Sequence, residues 1–315
     1  MSSSPVGEPV RRTVVGCTAT EAGRAAVRAA ARLVRAVGGE LHLVMVLPDT
    51  GRGAVVPPDA GYEALLRSSA DAWLDEAAAL VPPEVPIGRH VRRAESAAEG
   101  LLEAARELAA SLVVVGSGAE RGLGRIGVGT AASELLHSAD LPVVVVPVTA
   151  EDDDGADDGA DDGAADDGGP ALSRVTVAVG TRPGADVLLE EALALARAGG
   201  APLRLVSLQV LDLPGHLDRV VAADAADAHL RSVLEEARAA LPDGLVDDAL
   251  LVRGRDVADA VRDLDWLPGE VVVVGSSRLA APHRLFLGAT AARLLRAVPV
   301  PVVVVPRTRP QGGRP

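Results

Sequence analysis

The sequence predicts an α/β protein built from two doubly wound, parallel five-stranded sheets, one in each half of the chain. Three observations predict it. Short runs that are apolar at every position, such as Leu112-Val-Val-Val-Gly116, alternate with Ala-, Leu-, Arg- and Glu-rich stretches of helical period. A strand without polar alternation is covered on both faces, as in a parallel sheet with helices on both sides. The pattern also occurs twice. Leu112–Gly116 returns as Val271–Gly275, Gly129 as Gly288, and Leu141-Pro-Val-Val-Val-Val-Pro147 as Val300-Pro-Val-Val-Val-Val-Pro306, each 159 positions later. The opening strands, Arg12–Gly16 and Arg174–Val179, correspond at a slightly larger offset.

In the first unit these runs place strands at Thr13–Val15, Leu41–Val46, Ile87–Arg92, Leu112–Val115 and Val143–Val146. The intervening helices fall near Ala22–Ala36, Tyr62–Leu80, Ala97–Ala110 and Ala131–Ser138. The second unit repeats the order, with strands at Val175–Val179, Leu203–Val210, Ala249–Val252, Val271–Val274 and Val302–Val305 and four helices between them. Right-handed crossovers then give a doubly wound sheet, whose ligands sit outside the carboxyl ends of the strands at the switch point. The expected boundaries are 10–148 for the first domain, 149–171 for a linker and 172–308 for a degenerate second domain.

The linker is marked by Glu151–Asp167, with one Glu and nine Asp among Gly and Ala. It repels itself and has nothing to bury, so an extended, disordered segment is expected. An EF-hand or β-roll calcium site would need a bidentate Glu or an apolar residue in each repeat, and it has neither. The formal charge of −13 is mostly this segment; without its ten acids the rest carries about −3, which argues against a basic nucleic-acid face.

Composition excludes further classes. Apolar residues make up 48% of the 315, enough for two cores, while aromatics are only 1%. There is no lysine, which removes the Walker-A lysine, the protein-kinase strand lysine and any Schiff-base amine. Cys17 is the single cysteine, so no intrachain disulfide or cysteine-rich zinc site is expected. No signal-like run follows Met1–Arg12 and no stretch is apolar enough to span a bilayer, so a cytoplasmic chain without membrane contact is expected.

The segment that can carry chemistry follows the fourth strand: Gly116-Ser-Gly118-Ala119-Glu-Arg121-Gly122-Leu-Gly124-Arg125-Ile-Gly127-Val-Gly129-Thr130. A glycine-rich turn between a strand and a helix lets backbone N–H groups approach an anion, with Thr130 expected as a helix N-cap hydroxyl. From composition alone a tight strand-to-helix connection is the preferred reading.

This loop resembles the nucleotide motif of the universal stress protein family, Gly-x2-Gly-x9-Gly-Ser/Thr. Here it stands as Gly116-x2-Ala119-x9-Gly129-Thr130, with Pro142 and the last strand following. The family's first-strand Asp-Gly-Ser falls on Thr18-Ala19-Thr20, and Gly23-Arg-Ala-Ala-Val-Arg-Ala-Ala reads like its first helix. The resemblance covers nearly all of both units. It implies a Rossmann-like fold of the adenine nucleotide alpha hydrolase-like kind and a non-enzymatic role in stress survival. It also implies an ATP or ADP site in the first unit formed by Thr18, Val46, Gly116, Gly118, Ala119, Gly129, Thr130 and Ala131. Two departures weaken that site: Thr18 replaces the family Asp, and Ala119 replaces the middle Gly. Trading a carboxylate acceptor for a hydroxyl forfeits about 1–3 kcal/mol, roughly ten- to a hundredfold in affinity.

The second unit departs further, as Gly275-x2-Arg278-x9-Gly288-Ala289 with Gly180 at the Asp position. No cofactor is expected there, unless Arg182, Arg278 and Arg284 gather an anion themselves. A hydrolytic enzyme of the wider class would carry a Ser-Gly-Gly-x-Asp-Ser loop, absent from both Gly16–Thr20 and Val179–Pro183. The remaining candidates read as structural. Cys17 is expected to be a small buried residue, and Trp73 and Trp266 are expected to be core. The six histidines are too scattered for a metal site, with His42 inside a strand and His216 and His229 lacking a third ligand. Finally, the valine strands bracketed by proline resemble the family's dimer-forming edge. Val143–Val146 is expected to pair with Val302–Val305 within the chain; a homo-oligomer is the other use of such an edge. The linker's r.m.s. reach of roughly 25 Å spans that distance. A nucleotide-independent interaction module is the alternative reading of the same features.

Overall fold

The computed structural model describes residues 10–49, 60–117, 129–148, 171–180, 185–210, 219–277 and 285–306. The acidic segment therefore lies outside the described residues. The first unit runs β1 (Arg12–Gly16), α1 (Glu21–Val37), β2 (Glu40–Pro48), α2 (Ala60–Ala79), β3 (Ile87–Ala94), α3 (Ala97–Glu107), β4 (Leu112–Gly116), α4 (Thr130–Ser138) and β5 (Val143–Val146). The second runs β6 (Val175–Ala178), α5 (Ala185–Gly199), β7 (Leu203–Val210), α6 (Arg219–Ala239), β8 (Val246–Gly254), α7 (Val257–Arg262), β9 (Val271–Gly275), α8 (Ala289–Leu295) and β10 (Val302–Val305).

The helices begin where the sequence supplies caps. Thr20 accepts a hydrogen bond from Gly23 N at the start of α1, Ser96 from Glu99 N at α3, and Asp256 from Asp259 N at α7. Helix α3 stops three residues short of the expected Ala110. Ala109 turns into the left-handed region at φ 49° and Ala110 N bonds back to Ala105 O, closing the helix without a glycine. Strand β8 is longer than the expected Ala249–Val252, because its flanking residues pair with β7 along Leu203–Val210.

Within each unit every strand pair is parallel, in the orders β3-β2-β1-β4-β5 and β8-β7-β6-β9-β10. The two halves meet antiparallel through β5 and β10, with Val143 opposite Val304 and Val145 opposite Val302. The expected pairing of the last strands is thus realised, and ten strands form one continuous sheet. Helices α1, α2, α5 and α6 cover one face of it and α3, α4, α7 and α8 the other; each apolar layer runs uninterrupted across both units.

A second tie crosses the junction on the α4 face. Leu285 is 1% exposed; it packs among the α4 residues Leu135 and Leu136, and its N–H donates to Ala139 O at 2.8 Å. The next residue, Phe286, sits edge-on to His137 with ring centroids 5.1 Å apart. Ser276 holds Phe286 in place: its Oγ accepts from Phe286 N at 2.8 Å and donates to Phe286 O at 3.2 Å. The motif loop of the second unit therefore ends as a strut against the first.

Candidate functional site

The strand order reverses between β1 and β4 in the first unit and between β6 and β9 in the second, so each unit has a crevice at the carboxyl ends of those strands. In the first crevice, Thr18 follows the end of β1, where Gly16 pairs with Val44, and Val46 stands two residues beyond that pair on β2. Thr18 Oγ1 and Thr20 Oγ1 are 2.8 Å apart, and Thr20 also caps α1. Gly116 closes the β4 side. A Cβ on Gly116 would lie 2.0 Å from Ala22 O, and one on Gly23 would lie 2.2 Å from Thr18 O. Only glycine at both positions allows α1 to start this close to the strand ends.

On the other side of the motif, Gly129 is the N-cap of α4, so Thr130 is the first helical residue and caps nothing. This corrects the expected N-cap role of Thr130: the extended backbone of Gly129 (φ −56°, ψ 158°) already takes the cap position. Thr130 is exposed, and Ala131 is half-buried behind it. Gly118, Ala119, Arg121 and Arg125 lie outside the described residues, as do Arg182, Arg278, Arg284 and His216. The structure thus brings Thr18, Val46 and Gly116 to one end of the sheet.

The second crevice is open. A cavity of about 260 Å³ is lined there by Gly180, Ser207, Leu208, Gly275, Ser276, Ser277, Gly288 and Thr290, with Leu188, Leu230 and Leu294 among the apolar walls. The counterparts of Gly116 and Gly129, namely Gly275 and Gly288, face this one cavity. A Cβ on Gly275 would meet only Leu188 Cδ2, at 3.9 Å. The cause is legible in the sequence: strand register equates Cys17 with Val179, which puts Ala185 where the first unit has Gly23. A side chain there keeps α5 from closing down as α1 does. Ser207 Oγ, on a residue 0% exposed, has no hydrogen-bond partner. Among the described lining residues none is charged. Sequence reasoning missed this cavity because it weighed motif matches, and the second unit's motif is the poorer one.

The opposite ends of the strands carry the charged clusters. In the second unit Glu270, 0% exposed, receives Arg204 Nη2 on Oε1 at 2.7 Å, and Arg174 Nη2 at 2.7 Å and Leu267 N at 3.0 Å on Oε2. Thr176 Oγ1 donates to Glu270 Oε1 and accepts from Arg204 Nε at 2.9 Å. The Arg204 guanidinium also lies over the Trp266 ring, 5.0 Å from its centroid. Burial draws the Arg204 pKa down from its ordinary value and the facing Glu270 opposes this. Trp266 is half-buried and bonded to Val261 O as a core residue; Trp73 is not core, being 39% exposed on α2. Cys17 is buried as expected, and burial pushes its thiol up to about 12, so it is a poor nucleophile at neutral pH.

These features define a class: a duplicated, doubly wound α/β protein whose two copies share one sheet and each keep a crevice at the carboxyl ends of their strands. The model of the universal stress protein family matches residues 9–147 and again 172–306, and the chain belongs to that family. It is 27% identical over 310 residues to the universal stress protein Rv2319c of Mycobacterium tuberculosis, covering 93% of this chain and 99% of that protein. The universal stress protein Mb2346c of Mycobacterium bovis matches at the same identity and coverage. Among solved structures, a universal stress protein from Archaeoglobus fulgidus superposes with a TM-score of 0.59 at 18% identity, covering 94% of this chain and 98% of that one. A functionally unknown protein from Pseudomonas aeruginosa PAO1 gives 0.57 at 16%, covering 94% and 92%. At these identities the structures speak for the fold. No helix among the described residues is long and apolar enough to cross a membrane.

Proposed function

We propose that this chain is a cytoplasmic, non-enzymatic stress-response protein whose first unit binds an adenine nucleotide weakly. The observation that carries this reading is the β1–β4 crevice, where the Thr18–Thr20 hydroxyl pair stands at the same end of the sheet as Val46 and Gly116. Val46 offers an apolar wall to a base, the hydroxyls offer partners to a ribose, and the Gly129–Thr130 start of α4 offers N–H groups to phosphate. With Thr18 in place of a carboxylate, the affinity expected is about ten- to a hundredfold below that of a site with the acid.

Calorimetric titration of the full chain with ATP tests it. Saturable heat that is lost in Thr18→Val and Thr130→Ala, and kept in Thr290→Val, supports the first-unit site. At a hundred times the dissociation constant, bound ATP adds about 2.7 kcal/mol to unfolding, which a melting curve reads independently. Loss only in Thr290→Val would move the site to the second unit's cavity. A second reading, a nucleotide-independent interaction module, is favoured by the shared sheet and the Leu285–Phe286 strut, which hold the units as one body without a ligand. Absence of heat at millimolar ATP leaves that reading alone.

A further inference from the structure

The cavity at the carboxyl end of the second unit has a floor and a rim of different character. Val274 and Val305, at the ends of β9 and β10, and Ser207 of β7 are buried and form the floor. Leu188 of α5 and Leu294 of α8, also buried, wall it. Gly180 and Thr290 are exposed and stand at the rim.

We propose that this cavity binds a neutral, largely apolar molecule of about ten non-hydrogen atoms with one hydrogen-bonding group, such as an aromatic bicycle bearing a single hydroxyl. Three observations carry it. The first is size. A cavity of roughly 150 Å³ takes up benzene, so one of about 260 Å³ has room for about ten such atoms.

The second is charge. Among the described lining residues no side chain is charged, so an ion entering here would lose its hydration without meeting a counter-ion. A neutral ligand gains instead, because it and the aliphatic walls bury apolar area against each other.

The third is a single buried hydroxyl. Ser207 Oγ belongs to a residue 0% exposed, lines the cavity and has no hydrogen-bond partner. The other buried hydroxyls of the lining are engaged: Ser276 holds Phe286, and Ser277 has a partner of its own. One group is thus left to fix the ligand's orientation, and a hydroxyl, N–H or carbonyl on the ligand satisfies it. A nucleobase would bring several polar nitrogens to this one partner and leave the rest unpaired against apolar walls. The ligand class therefore differs from that of the nucleotide reading, which concerns the first unit.

Equilibrium dialysis of the full chain against 2-naphthol, naphthalene, 2-naphthoate and adenine tests the site. The wild type is expected to bind 2-naphthol saturably, and naphthalene about three- to tenfold more weakly for want of the hydroxyl. Binding of 2-naphthoate and adenine should be weaker than that of 2-naphthol by at least about tenfold. Ser207→Ala should hold 2-naphthol no better than naphthalene, which separates a lost hydrogen bond from a lost fold. Gly275→Val fills the cavity, because a Cβ there has only Leu188 Cδ2 within 4 Å, and should weaken both ligands at least about tenfold. Circular dichroism verifies each fold; if Gly275→Val fails to fold, Ser207→Ala carries the result. No saturable binding of 2-naphthol, or an unchanged preference for it in Ser207→Ala, overturns the proposal. So does tighter binding of adenine, or of 2-naphthoate, the result expected if Arg182, Arg278 and Arg284 gather an anion. ATP heat should be unchanged by saturating 2-naphthol, so the first-unit nucleotide site and this one can each fail alone.

Discussion

The two units share one strand order yet place their polar groups at opposite ends. The second unit buries a charge network at its base, Arg204 and Arg174 on Glu270, and leaves its carboxyl end hollow, with hydroxyls set among apolar walls. The first unit brings α1 down onto Gly116 at its carboxyl end and keeps at its base a partly exposed group of Arg12, Glu40, His42 and His90. Strand register puts His42 where the second unit has Arg204. A duplicated sheet can thus diverge without changing topology. What differs is how closely the first helix of each unit approaches the strand ends, and Gly23 against Ala185 is one position that sets it.

The largest effect expected from breaking this contrast is at Glu270. Glu270→Ala leaves two guanidinium groups facing each other, one of them 2% exposed, without a counter-ion. Removing one partner of a buried pair costs about 3–5 kcal/mol. Glu40→Ala, which frees an Arg12 that is 39% exposed, should cost less than about 1 kcal/mol. Urea unfolding followed by circular dichroism separates the two. Equal losses would mean that the two bases are energetically alike and that burial does not distinguish them.

Next in size is the pair of equivalent glycines. In Gly116→Ala the new methyl meets the Ala22 carbonyl, which is backbone and cannot swing aside, so α1 or β4 must shift. Overpacking of this kind costs about 1–3 kcal/mol. In Gly275→Ala the methyl has only Leu188 Cδ2 within 4 Å, and stability should change by less than about 1 kcal/mol. Chemical denaturation of the two variants side by side measures the difference. A cost at Gly275 matching that at Gly116 would show that the second crevice is closed in solution.

Much of this was legible in the sequence because it depends on local pattern. Four valines between prolines mark a buried strand whatever surrounds them, and the repeat of Leu112–Gly116 as Val271–Gly275 marks the duplication. The pairing of β5 with β10 could be read because both copies end in the same run. Less legible was anything set by register between distant strands. His42 and His90 are 48 positions apart and meet only because β2 and β3 pair in one register; Glu270 and Arg204 meet through β6. The N-cap of α4 was misplaced by one residue, since Gly129 and Thr130 are both acceptable caps and backbone geometry chose the glycine. Trp73 was expected inside because large aromatics usually are, but its position on α2 faces solvent.

The smallest effect sharpens the comparison most, because it reads the state of the cavity. Ser207 and Ser276 both line it, yet only Ser276 is used by the protein, holding Phe286 at both N–H and C=O. Ser276→Ala should therefore destabilise by about 1–2 kcal/mol and loosen the strut on His137. Ser207→Ala removes a hydroxyl that is buried and unpaired, so it should be neutral or stabilise by up to about 1 kcal/mol, visible as a rise of a few degrees or less in Tm. A clear loss of stability in Ser207→Ala would instead mean that its hydroxyl is satisfied in solution by ordered water. The cavity would then be a wet, polar space, and a ligand entering it would have to replace that hydrogen bond as well as fill the apolar walls.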